Sequence, residues 1–127
     1  MPEWEKYLER AEESLSSAQI LLDAGKYNRA ISEGYYAQYY AAKALLSSKD
    51  IQAKKHRGVL AMLGLEFVNK NFLEETYLKA YARSMKLREK ADYDVYFTAS
   101  REEAEVVIDE AERFIERVRK LLKEMEK

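Results

Sequence analysis

The chain has 127 residues, 47% hydrophobic and 35% charged, with one Pro, four Gly and no Cys. That composition suits one domain with one buried core and excludes disordered, fibrous and disulfide-stapled chains. A net charge of −1 excludes a globally basic nucleic-acid binder, so affinity for a polyanion would need a local patch.

The first helix is expected from about Pro2 to Asp23. Trp4, Leu8, Ala11, Leu15, Ala18 and Leu22 recur every three or four residues and give one apolar stripe. Gly25 closes it, because the position past a helix end often enters left-handed space. A second helix is expected from about Asn28, as N-cap, to Leu46 or Ser48. It carries two stripes, one bulky (Ile31, Tyr35, Ala42, Leu45) and one small (Ala30, Gly34, Ala37, Ala41, Ala44). Small side chains let a neighbouring axis come close, so this helix is expected at the centre. Tyr35, Tyr36, Tyr39 and Tyr40 are too many for one stripe to bury. An exposed aromatic belt favours self-association, and a homodimer is expected.

Lys49 to Lys55 interrupts the periodicity. A third, shorter helix follows over His56 to Asn69, with Val59, Leu60, Leu63, Phe67 and Val68 inward. Asn71 and Phe72 fit a turn. A fourth helix spans Leu73 to Glu89, with Leu78, Ala82 and Met85 facing the core. Residues 91–99 form a connector. In the fifth, Ser100 and Glu103 make a capping box, followed by apolar positions from Ala104 to Met125 repeating over three heptads. These elements predict an all-α antiparallel up-and-down bundle of four main helices plus a shorter one, a single domain over 1–127.

No apolar run is long enough to span a bilayer, and no signal-peptide pattern precedes the first helix. A cytoplasmic protein without membrane attachment is expected. The sole histidine, His56, has no Glu-x-x-His or His/Cys cluster around it, so no metal and no cofactor is expected. His56 reads as a structural residue at a helix start, the alternative being an imidazole that exchanges a proton near neutral pH.

The remaining polar chemistry gathers in Arg83 to Tyr96. Lys79, Arg83, Lys86 and Lys90 follow i, i+4, i+7, i+11 and line one face. That face is either solvated surface or a groove for RNA phosphates, whose condensed counterions Lys and Arg displace. Arg88 falls off that line, beside Tyr77, Tyr81 and Ser84. It either stacks on tyrosines and pairs with Asp92 or Asp94, or stabilises negative charge developing on a phosphate.

Three segments together resemble the HEPN family (higher eukaryotes and prokaryotes nucleotide-binding domain): Ala30 to Leu46, Lys55-His56-Arg-Gly58-Val59 with Phe67-Val68, and Leu87-Arg88-Glu-Lys-Ala-Asp92-Tyr93-Asp94. The resemblance implies a dimeric helical bundle, paired with a minimal nucleotidyltransferase as a toxin–antitoxin system. Family toxins are similar to metal-independent endoribonucleases with an R-x(4–6)-H motif, often continuing H-x-Y. In such pairs the nucleotidyltransferase transfers AMP to the tyrosine. Here Arg88 matches the arginine, Asp94 stands where the histidine would be, and Tyr96 matches the AMP-accepting tyrosine, with Tyr93 a near rival. The resemblance therefore makes Arg88 and Asp94 the candidate catalytic pair of a degenerate R-x5-D-x-Y motif, with RNA on Arg83, Lys86, Lys79 and Lys90. A carboxylate ionised at pH 7 serves as a base and poorly as an acid. The alternative is a HEPN module that binds a nucleotide or partner without cleaving.

Overall fold

A computed structural model describes residues 2–126. In order it has α1 (Glu3–Asp23), α2 (Tyr27–Ser48), α3 (His56–Leu63), a one-turn π-helical segment (Gly64–Val68), α4 (Glu75–Tyr93) and α5 (Arg101–Met125). The four long helices run alternately up and down. Glu3 of α1 meets Ser47 of α2, Ser32 of α2 meets Asp92 of α4, and Glu12 of α1 meets Arg119 of α5. The expected bundle of four main helices and a shorter one is what forms, with no strand among the described residues.

Helix α2 is the centre and touches α1, α3, α4 and α5. Its small stripe makes this possible. Ala30, Gly34, Ala37, Ala41 and Ala44 are all buried, and a Cβ on Gly34 would sit 2.8 Å from Val107 Cγ1 of α5. No side chain larger than hydrogen fits there without a shift. Tyr35, Leu45, Phe67, Tyr81 and Phe114 fill the core at one end, and Ile31, Val107 and Ile108 fill it at the other. α5 buries Ala104, Val107, Ile108, Ala111, Phe114, Ile115, Val118, Leu121 and Leu122, as its heptads predict. Its capping box is present, with Glu103 N–H donating to Ser100 Oγ at 3.0 Å and Ser100 N–H to Glu103 Oε1 at 2.9 Å.

α1 closes on Gly25, whose φ of +76° is the left-handed turn expected there. The Lys26 amide then reaches the Leu21 carbonyl at 2.8 Å and the Gly25 amide reaches Leu22 at 3.0 Å, satisfying two otherwise unpaired helix carbonyls.

Several expectations differ from the fold. Asn28 lies inside α2, whose first residue is Tyr27, and it is not a cap. Its side-chain amide instead donates to the Phe97 carbonyl at 3.1 Å, and its carbonyl accepts from Ala99 N–H at 2.8 Å. The same chemistry that suits a cap thus ties down a segment distant in sequence. The third helix is not uniform to Asn69, because an extra residue enters its ladder at Gly64–Val68 and makes a π-turn. α4 starts at Glu75, not Leu73, and continues through Tyr93, not Glu89. Asp92 and Tyr93 are therefore helical, and the connector to α5 is shorter than expected. On α4, Met85 is buried, but Leu78 and Ala82 are half-buried; Ala80, Tyr81, Ser84 and Arg88 complete the inner face.

Candidate functional site

Arg88 is the element of the site that composition alone would place on the surface. It is instead buried, its side chain 7% exposed. Helical spacing puts it one turn beyond Ser84 and two beyond Tyr81, on the face that α4 packs against α2. Its carbons and guanidinium lie against aromatic rings, with Cζ 5.3 Å from the Tyr35 centroid, 5.9 Å from Tyr36 and 5.8 Å from Tyr93. Flat guanidinium on the face of a phenol is a favourable charge–quadrupole contact.

The carboxylate beside Arg88 is Asp92, one turn along α4, with Nη1 donating to Oδ2 at 3.3 Å. The other oxygen of Asp92 accepts from the Ser32 hydroxyl of α2. Arg88 Nε is buried and meets no acceptor among the described residues. Burial opposes the charge on Arg88, yet Tyr36, Asp92 and Tyr93 outweigh it and hold its pKa above the usual arginine value. The guanidinium is a permanent cation with spare donor capacity.

His56 packs against the same tyrosines. Its ring centroid is 4.6 Å from that of Tyr39, 5.5 Å from Tyr35 and 5.8 Å from Tyr36. Its Nδ1 is 2.7 Å from the Tyr35 hydroxyl, which is 3.1 Å from the Tyr81 hydroxyl, which donates at 3.5 Å to the carbonyl of His56 itself. The side chain is half-buried. Desolvation and then the Arg88 charge push its pKa below the ordinary 6.5, against a smaller pull upward from Glu89. Burial likewise pushes the Tyr35 and Tyr81 phenols well up, so both keep their protons. Half-buried Tyr36 and Tyr39 are raised by the same cause.

The sequence left His56 without a partner. The fold supplies four tyrosines, Tyr35, Tyr36 and Tyr39 from α2 and Tyr81 from α4. The tyrosines at 35, 36 and 39 were legible as a surplus of aromatics, but the histidine they surround was not.

The other sequence-selected residues lie differently. Asp94 terminates α4, and its carboxylate accepts the Tyr96 amide at 2.9 Å in a local turn. Tyr96 is 93% exposed, with Val95 and Tyr93 also outside. Arg88 is thus brought together with Asp92, Tyr35, Tyr36, Tyr93 and the neighbourhood of His56, while Asp94 is engaged with the exposed turn. On the outer face of α4, Lys79, Arg83, Lys86 and Lys90 are all exposed, as the spacing predicts. Lys79 pairs with Glu75 at 3.6 Å and Arg83 with Glu110 at 2.9 Å, which leaves Lys86 and Lys90 outside those pairs. No group of three or more His, Asp or Glu able to hold a metal occurs among the described residues, and no helix there is long and apolar enough to cross a membrane.

The HEPN domain model matches residues 4–121. A Methanocaldococcus jannaschii protein named "Putative toxin MJ0605" is 47% identical over 118 residues, covering 93% of this chain and 87% of that protein. A second from the same organism, "Putative toxin MJ0142", is 37% identical over 120 residues, covering 94% and 82%. A Thermotoga maritima UPF0332 protein is 33% identical over 131 residues, covering 100% and 99%. Among solved structures, the crystal structure of TT1696 from Thermus thermophilus superposes with a TM-score of 0.81 at 24% identity, covering 95% of this chain and 99% of that one, a likeness of fold.

Proposed function

The chain belongs to the HEPN domain family, and from that premise we propose that it is the toxin of a toxin–antitoxin pair, acting as a homodimer that cleaves RNA without metal. Its partner is a minimal nucleotidyltransferase that transfers AMP to Tyr96. Two relatives that align with most of this chain carry the name "Putative toxin", which supports the first half of this reading.

The observation that carries it is Arg88. Its guanidinium rests on tyrosine rings, its ion pair with Asp92 is a single 3.3 Å bond, and its Nε has no acceptor. A fork held so loosely can exchange a carboxylate for a phosphate, whose oxygens accept two parallel N–H bonds. The 2′-hydroxyl of the RNA would then attack a phosphorus whose growing negative charge the guanidinium stabilises. Lys86 and Lys90, with Lys79 and Arg83 once their carboxylates are displaced, would hold the flanking phosphates. The exposed phenol of Tyr96 is open to a modifying enzyme.

A second reading has its own support. Asp92 already balances Arg88, and the Asp94 carboxylate is occupied by the Tyr96 amide. That arrangement suits a module that binds a nucleotide or partner and does not cleave.

The test is a single-stranded RNA cleavage assay in chelator with wild type and Arg88→Ala. Cleavage by the wild type that disappears in the variant is expected. Equal cleavage by both removes Arg88 from the chemistry, and binding without cleavage selects the second reading. Incubation with the nucleotidyltransferase and ATP should add one AMP to the wild type and none to Tyr96→Phe.

A further inference from the structure

We propose that His56 is the acid–base group of the site at which Arg88 holds a phosphodiester, with Tyr35 and Tyr81 as positioning residues that fix its tautomer. This rests on the RNA-cleavage reading above and assigns the proton transfer that Asp94 is poorly equipped to make.

Geometry carries the assignment. His56 and Arg88 come from different helices, yet each lies within 6 Å of the same two rings, Tyr35 and Tyr36. The hydroxyls of Tyr35 and Tyr81 form a closed chain from His56 Nδ1 back to the His56 carbonyl. In one setting Nδ1–H donates to Tyr35, Tyr35 donates to Tyr81, and Tyr81 donates to the carbonyl. Every donor then has an acceptor, and the Nε2 lone pair is left free. His56 is only half-buried, which keeps its ring at the edge of the core. The same chain accommodates the imidazolium without rearrangement, because Nδ1–H is already the donor. A histidine whose second nitrogen is fixed by a hydrogen bond is the usual arrangement for one that exchanges protons at the first.

The groups facing the ring are Tyr35, Tyr36 and Tyr39 from α2, and Tyr81, Arg88 and Glu89 from α4. Burial and Arg88 lower the ring's pKa and so favour its neutral, proton-accepting form. The step balances within the substrate. Nε2 takes the proton of the 2′-hydroxyl as that oxygen bonds to phosphorus, and the P–O5′ bond breaks. The imidazolium returns the proton to the departing 5′-oxygen. A 2′,3′-cyclic phosphate and a 5′-hydroxyl result, with no co-reactant.

His56 is the sole histidine, so its imidazole can be followed by NMR without assignment. The probe is a 2′-deoxy oligonucleotide, which lacks the nucleophile. Its phosphates should raise the His56 pKa in the wild type and leave it unmoved in Arg88→Ala. In the RNA assay, His56→Asn and His56→Gln should each lower cleavage about 10²- to 10⁴-fold, the usual worth of general acid–base catalysis. Tyr35→Phe should shift the acidic limb of the pH–rate profile, where His56 gains its proton, which a merely packing role would not do. Circular dichroism melts verify that each variant folds. Cleavage with no histidine response, or cleavage kept in both His56 variants and lost in Asp94→Asn, overturns the inference and leaves the RNase reading standing. A wild type that does not cut RNA overturns both.

Discussion

Replacing Asp92 with Asn measures what the buried arginine costs. The Arg88 side chain is 7% exposed and that of Asp92 20%, so neither charge is well hydrated. Removing one partner of a buried pair commonly costs about 3–5 kcal/mol, because the remaining charge is left uncompensated. Asn keeps an acceptor for Ser32 or Arg88, and the tyrosine faces retain part of the attraction, so we expect roughly 2–3 kcal/mol here. For a chain of this length that is a fall in Tm on the order of 6–15 °C. Arg88→Met removes the charge but leaves the largely buried Asp92 carboxylate with only Ser32 as donor, so its cost should be similar, roughly 2–3 kcal/mol. The pair Asp92→Asn and Arg88→Met, with the double variant, forms a cycle read by denaturant or thermal melts. The double variant leaves neither charge unpaired and should cost clearly less than the two single variants added together. An Asp92→Asn protein within about 0.5 kcal/mol of wild type would refute the reasoning. It would mean that the guanidinium is stabilised well enough by the tyrosine faces to stand without its carboxylate.

Two further outcomes follow from the same structure. Gly34→Ala gains helix propensity of about 1 kcal/mol but drives a methyl group to 2.8 Å from Val107, a clash of the kind that costs about 1–3 kcal/mol. Net destabilisation is expected in chemical denaturation, partly relieved by adding Val107→Ala, and a stabilised single variant would contradict the close α2–α5 approach. The folded pKa of His56 lies below its unfolded value near 6.5. The unfolded chain therefore binds the extra proton first, so stability is full above about pH 6.5 and falls as pH drops from there toward the folded pKa. His56→Gln should flatten that part of the pH–stability curve, and an unchanged slope would show that the ring is as well hydrated folded as unfolded.

The parts of this fold that could be read in advance are those governed by neighbours in sequence. Ser100 and Glu103 cap α5 with atoms three residues apart, and Gly25 ends α1 through bonds within one turn. The alanine stripe of α2 forecast its central place because side-chain size alone limits how near another axis can come. Where contacts join distant residues, the periodicity is silent. Asn28 looks like a cap until the connector 97–99 folds onto it, and α4 outlasts Glu89 because Asp92 finds Ser32 sixty positions away. The site divides along the same line. Arg88, Asp94 and Tyr96 stood out as a local string, whereas the fold gathers Arg88, Asp92, Tyr35 and His56 from three helices. Arg88 belongs to both sets, as does Asp92, which the sequence offered beside Asp94 as its ion-pair partner.

The bridge from Asn28 to Phe97 and Ala99 shapes how Tyr96 meets the outside. One end of its turn is fixed by the last residues of α4 and the other by an amide reaching across from α2. Between those anchors the phenol is carried on a short arch whose feet cannot wander apart. Any macromolecule that grips this tyrosine meets it at a set height and angle to the helices. A free peptide of the same residues would have to be bent into that pose at an entropic cost, so a partner of Tyr96 would read contour more than sequence.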